Sequence, residues 1–246
     1  MTSSRFLTSI SLATLVVSGA VAVPTVAFAQ APAQADQQDI VVTGSRVVGR
    51  SQLDSTAPVD VFSGQSLRQQ GTPELATAIA NIAPSIDFPR PSNTDGTDAI
   101  RPATLRGMSP DQTLVLINGV RAHTSALINL NGSVGRGSQA VDLNTIPMVA
   151  LDGLEVLRDG ASAQYGSDAI AGVVNLKLRK ADHGGGASVA YGLYDTNYTG
   201  VYGKHSVTGE PTISVSGWQG MKILGDGFLT VSGEYQHRSA TNRADN

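Results

Sequence analysis

The feature that most constrains this chain is a change of periodicity near Gly184. Beyond it, apolar and polar side chains alternate with a period of two. In Phe228 to His237, Leu229, Val231 and Tyr235 fall on one face, and Thr230, Ser232, Glu234 and Gln236 fall on the other. Ala187, Val189, Tyr191 and Leu193 repeat the pattern against Ser188, Ala190 and Gly192. Ile213 and Val215 begin a third run that is less regular near Gly217 and Trp218. Apolar toward lipid and polar toward a lumen is the dyad of a membrane β-barrel strand, although a soluble amphipathic sheet shares it. The stretch 184–246 has room for about three spanning strands, whereas closure in a bilayer needs at least about eight. An incomplete wall is therefore expected, and these residues alone are expected to form no pore.

The other end of the chain predicts export. Arg5 precedes a mostly apolar stretch from Phe6 to Val23, and Ala27-Phe28-Ala29 has the small-x-small form of a signal-peptidase site. A leader over 1–29 follows, with cleavage before Gln30. A membrane anchor is the weaker reading, because Thr8, Ser9, Ser11, Thr14, Ser18, Gly19 and Pro24 interrupt the run, and a spanning helix needs about 20 strongly apolar residues. Residues 30–52 read as a polar tether holding one β-branched run, Ile40-Val41-Val42-Thr43. That run is either the first strand of the domain or a segment free to add to another protein's sheet edge. The formal charge of −3, with no basic cluster, gives no sign of a nucleic-acid partner, and the absence of cysteine excludes disulfides and thiolate metal sites.

Between these ends the pattern predicts a small α+β domain over 53–180, with a short-stranded central sheet and flanking helices. Ala57 to Phe62 reads as a strand with Val59 and Val61 on one face. Thr72-Pro73-Glu74 reads as a helix start with Thr72 as N-cap, and Leu75, Ile79 and Ile82 form its apolar stripe before Pro84. Residues 86–99 read as a loop. Thr113 to Ile117 is a strand buried on both faces, and Asn118-Gly119 turns it into an antiparallel return at Val120-Arg121. A long polar loop, His123 to Gly137, exceeds ordinary connection length. Val141 to Ile146 and Leu154 to Arg158 are strand candidates, Asp159-Gly160 a turn, Ala161 to Tyr165 one helical turn, and Ile170 to Leu178 a returning strand. His183 to Gly186 reads as a flexible junction, and Gly225-Asp226-Gly227 as a short turn.

Four motifs occur in order: DIVVTGSR at Asp39 to Arg46, LRG at Leu105 to Gly107, LVLINGVR at Leu114 to Arg121, and IPMVALDGLEVLRDGASAQYGSDAIAGVVNL at Ile146 to Leu176. Together they resemble the plug domain of TonB-dependent outer-membrane receptors. Asp159-Gly160 stands where many members have glycine-proline, and Leu154 where isoleucine is frequent; both keep the turn or the apolar position. The resemblance implies a plug inside a many-stranded barrel in the outer membrane, with the first strands over 184–246. It also implies energy from the inner-membrane TonB protein, and uptake of a scarce bulky nutrient, most commonly an iron chelate such as a ferric siderophore. Asp39, Ile40, Val41, Val42, Thr43 and Gly44 match the TonB box. The short interval after the leader suggests a transporter without an added signalling domain.

The candidate plug and gating residues are Arg106, Gly107, Asn118, Gly119, Glu155, Arg158, Tyr165 and Gly166. The charged three are read as pairing across plug and wall or as solvent-facing strand-edge charge, the glycines as backbone devices, and Tyr165 as packing or ligand contact. Candidate ligand-loop residues are Arg90, Asn93, Asp95, Asp98, His123, Asn129, Asn131 and Arg136, in loops that would face outward. No metal-ligand spacing, cofactor motif or catalytic motif stands out: HExxH and Walker sequences are absent, and Ser162 does not sit in a GxSxG elbow. The alternative to a receptor is a soluble periplasmic binding module or adhesin with a plug-like fold.

Overall fold

The computed structural model describes residues 58–91, 94, 96–130, 134–200 and 203–239. The leader, the tether with the segment 39–44, and Asn93, Asp95 and Asn131 lie outside these residues. Strand β1 (Val59–Ser63) ends at Ser63, whose hydroxyl accepts the Ser66 N–H at 3.1 Å and so caps helix α1 (Gly64–Arg68). Leu67 is the one large apolar side chain of α1, too little for a periodic signal in sequence. Helix α2 (Leu75–Ile82) buries Leu75 and Ile79 as its stripe predicts. Its start differs from expectation. Glu74 is still extended, with φ −83° and ψ 117°, and stands at the N-cap position. Thr72 Oγ1 accepts the N–H of Glu74 at 3.2 Å, which caps the approach and not the helix. The Glu74 carboxylate is drawn inward by arginines far along the chain, which residue spacing does not reveal.

Three further expectations are corrected. The stretch expected to be a loop from Ile86 opens with strand β2 (Ile86–Asp87), paired antiparallel to β3 (Thr104–Leu105). The strand expected over 141–146 is instead a 3-10 turn at Leu143–Thr145. Asp142 Oδ1 accepts the N–H of Asn144 and the N–H of Arg101, each at 3.0 Å, and this local bonding competes with extension. The junction is also shorter than expected, because Gly185 and Gly186 already belong to a strand.

Strands β4 (Thr113–Ile117), β5 (Val120–Arg121), β6 (Leu151–Leu157) and β7 (Gly172–Leu178) join β1 in one mixed sheet of order β1-β6-β7-β4-β5. Only β4 and β7 run parallel, and β1 holds an edge through β6 alone. The single turn α3 (Ser162–Tyr165) precedes β7. One face of the sheet packs under α1 and α2 around Leu67, Ile79, Leu105, Leu143, Leu154 and Leu176. The other carries a smaller cluster, Val59, Leu114, Leu116, Leu157 and Val173. Because β4 lies between β7 and β5 with cover on both sides, its run is apolar at every position from 114 to 117, as doubly buried strands are.

The second sheet is antiparallel, in the order β10-β9-β8, from β8 (Gly185–Gly200), β9 (Gly203–Ile223) and β10 (Gly227–Arg238). β9 continues without a break through Gly217 and Trp218, the place where its pattern weakens. On β10, Thr230, Ser232 and Glu234 are half-buried against the first sheet's body, while Leu229, Val231 and Tyr235 are exposed on the opposite face. Val189, Tyr191, Leu193, Ile213 and Val215 extend this exposed apolar face over β8 and β9. Both outer edges of the sheet lack a strand partner among the described residues.

Candidate functional site

The site begins at the turn of β4 and β5. Asn118 and Gly119 take φ of 51° and 79°, the double positive φ that an Asn-Gly hairpin requires, and Leu116 and Ile117 pair with Arg121 and Val120. The turn is tied to the next strand: Asn118 Oδ1 accepts the Leu178 N–H at 2.8 Å, and Asn175 Oδ1 accepts the Gly119 N–H at 3.0 Å. Asn175 Nδ2 in turn donates to Glu155 Oε2 at 3.1 Å, and Lys177 Nζ lies 2.5 Å from Glu155 Oε1. Glu155 is fully buried, so this ladder of amide, carboxylate and ammonium is internal to the sheet. A buried charge of this kind persists only when paired and hydrogen-bonded, which Asn175 and Lys177 provide.

Arg106 occupies an unusual place. Its backbone is left-handed, φ 56°, followed by Gly107 at 68°. The guanidinium holds this turn by donating from Nη2 to the Ala171 carbonyl at 2.8 Å and approaches Asp159 at 3.9 Å. Arg158 pairs with Asp60 across β6 and β1 at 2.8 Å, and Arg121 pairs with Asp168. All three charged motif residues, Arg106, Glu155 and Arg158, thus have partners within the mixed-sheet body. Gly166 has φ 92°, and Tyr165 is half-buried against the smaller core cluster.

The two candidate ligand loops are neighbours: a Cβ on Gly96 would lie 3.4 Å from the side chain of Leu127. His123 and Arg136 are exposed, as is Asp98. Asn129 is not available at the surface. It is 1% exposed, and its Nδ2 donates to Ser138 Oγ at 3.0 Å, pinning the long loop together with the bridge between Ile128 and Gln139. A cavity of about 660 Å³ opens between this loop and β4, lined among others by Thr113, Arg121, Ser138 and Asp168.

Where the two sheets meet, sequence reasoning missed the principal residues. Arg179 stacks over the Trp218 ring at 4.3 Å, and Ala181 exchanges two hydrogen bonds with Thr230 Oγ1, at 3.0 and 3.1 Å. Above all, Glu74 gathers arginines from three separate segments. Arg90 Nη2 lies 2.8 Å from Oε2, Arg101 Nε lies 2.7 Å from Oε1, and Arg238 of β10 stands at 3.6 Å. Burial alone would raise the Glu74 carboxyl; the hydrogen bond from Thr77 and the charges of Arg90 and Arg101 outweigh it and hold the group below its ordinary value of 4.5. The only trace in sequence was an acid beside a helix start, the signature of a simple dipole partner.

An α+β body joined directly to antiparallel strands that turn a polar face toward it and an apolar face outward defines the plug-and-wall class of protein. The comparisons with known proteins agree. Residues 51–173 match the model of the TonB-dependent receptor plug domain, and the chain belongs to this family. It is similar to the vitamin B12 transporter BtuB of Vibrio cholerae, 28% identical over 165 residues, which cover 66% of this chain and 24% of that protein. The probable TonB-dependent siderophore receptor PirA of Acinetobacter baumannii is 28% identical over 145 residues, 59% of this chain and 19% of PirA. Among solved structures, the ferric enterobactin receptor PfeA of Pseudomonas aeruginosa, a mutant in complex with enterobactin, matches with TM-score 0.55 at 19% identity, over 75% of this chain and 25% of that one. The siderophore receptor PirA from Acinetobacter baumannii matches with TM-score 0.52 at 22% identity, over 73% and 24%. The chain spans about a quarter of the length of these relatives or less.

Proposed function

We propose that this chain supplies the plug and first wall strands of an outer-membrane receptor that takes up a scarce, bulky nutrient under the drive of TonB, with a ferric siderophore-like complex as cargo. The observation that carries this reading is the two-faced sheet β8-β9-β10: its polar face lies against the plug, and its other face presents Val189, Tyr191, Val215, Leu229 and Val231 outward. A soluble module would leave that contiguous apolar face in water. Among the described residues the edges of β8 and β10 are open, and in hydrocarbon their unpaired backbone groups would cost several kcal/mol each unless further strands paired with them. Siderophore cargo is supported by the likeness to the siderophore receptor PirA, and a cobalamin-like cargo by the likeness to the vitamin B12 transporter BtuB. The accompanying division of the chain is a leader at 1–29, a tether at 30–52, the plug at 53–180 and wall strands from 184.

Energy would enter through Asp39 to Gly44, added as a strand to the periplasmic domain of TonB. Backbone pairing carries most of such a contact, so a proline that removes a donor disrupts it where an alanine does not. In pull-down of the TonB periplasmic domain by the full-length receptor, Val42→Pro is expected to abolish capture and Val42→Ala to retain it. Equal capture by both would defeat strand addition. Fractionation and heat-modifiable migration of the full-length protein test the receptor reading itself; recovery as a soluble periplasmic species would overturn it.

A further inference from the structure

The seam between plug and wall contains an unbalanced cluster of charge. Among the described residues, three guanidiniums, from Arg90, Arg101 and Arg238, gather on the one carboxylate of Glu74, and a second carboxylate, Asp142, binds the backbone N–H of Arg101. Both carboxylates are engaged at close range. Glu74, with its side chain 6% exposed, accepts from Thr77 at 2.9 Å as well as from Arg90 and Arg101. Asp142 Oδ1 accepts the backbone N–H groups of Arg101 and Asn144. Arg238 is different: it lies 3.6 Å from Glu74, beyond hydrogen-bond reach, and its side chain is 43% exposed. Next to it a cavity of about 200 Å³ is lined by Glu74, Arg101, Asn144, Gln236 and Arg238.

We propose that this seam cavity binds a small oxyanion, a carboxylate or phosphate group, held by Arg238 and Arg101 with the side-chain amides of Asn144 and Gln236 as neutral donors. A guanidinium presents paired N–H groups that match the two oxygens of such a group. The size is selective. At about 200 Å³ the cavity has room for one small oxyanion group and falls below the roughly 300 Å³ at which sites for larger organic ligands begin. The face is selective as well. Arg238 shares strand parity with Thr230, Ser232 and Glu234, the plug-facing side of β10, so headgroups outside the wall do not reach it. The occupant is a dissolved anion in the lumen or the acidic arm of an imported solute. This placement rests on the reading of β10 as a wall strand.

Glu74 competes with the anion for Arg238, and this gives the proposal a distinctive sign. Calorimetric titration of the full-length receptor at low salt, with inorganic phosphate and with acetate in separate runs, is expected to give affinity on the order of 1 mM for at least one of them. The stronger of the two identifies the source, free phosphate or a carboxylate arm. Arg238→Gln is expected to weaken binding at least about tenfold, Arg238→Lys to weaken it less, and Glu74→Gln to tighten it by up to about tenfold. No binding of either anion to the parent protein, unchanged affinity in Arg238→Gln, or weaker binding in a folded Glu74→Gln protein would each overturn the proposal. Outer-membrane assembly of Arg238→Gln is scored in parallel. If that variant assembles normally, the wall reading stands whatever the titrations give; if the parent is soluble, the wall reading itself has failed.

Discussion

Single residues set the tolerance of this plug. At Gly172, φ is 149° and a Cβ would lie 2.3 Å from the Leu157 carbonyl oxygen and 2.8 Å from Leu105. Gly172→Ala should therefore destabilise by about 3 kcal/mol or more, from strain and overpacking together, measured as a fall in the thermal midpoint of the purified receptor. Gly119→Ala meets no neighbour but keeps a φ of 79°, and should lose only about 1 kcal/mol. Thr113 has the opposite character: its buried Oγ1 has no hydrogen-bond partner among the described residues, so Thr113→Val should be neutral or stabilising. Glu74 carries a pH dependence. Its folded value is depressed, so its stabilisation is complete above the ordinary glutamate value of 4.5 and is lost as pH falls through the lowered value. Thermal unfolding between about pH 6 and about pH 3 should show a steeper acid decline in the parent than in Glu74→Gln.

At the scale of elements, what could be read from sequence was what the chain determines locally. Asn118-Gly119 specifies its hairpin because the turn's backbone demand is met by the two residues themselves. The stripe of α2 and the doubly buried run of β4 were legible for the same reason, since periodicity reports burial within one element. Val141 to Ile146 misled because its alternation is sound, while Asp142 bonds to Arg101, 41 positions away. The Glu74 cluster was illegible on similar grounds: Arg90 and Arg101 are 16 and 27 positions distant, and Arg238 comes from another sheet. The motif residues and the loop residues differ in how they are held. Arg106, Asn118, Gly119 and Glu155 all lie in bonded turns or strands of the plug, whereas Asn129 in the long loop is a buried staple.

At the scale of the whole molecule, the two faces of the second sheet should respond in opposite ways to the same chemistry. Val231→Arg, on the apolar face, is expected to impair assembly into the outer membrane by about 2–4 kcal/mol, seen as loss of heat-modifiable migration. Ser232→Arg, one residue along and turned toward the plug, should allow insertion and disturb packing at the seam instead. Equal assembly defects in both would count against the orientation of the sheet.

The position of β1 has a mechanical consequence. It is the first described strand, it holds the sheet's margin by five register pairs to β6, and among the described residues no second strand braces it. A load arriving from the residues before Val59 would meet this singly paired ribbon first, ahead of Glu155, Asn175 and the hairpin behind them. An edge strand at the point of entry gives such a load a peeling geometry, one register pair at a time, instead of a shear across the whole sheet.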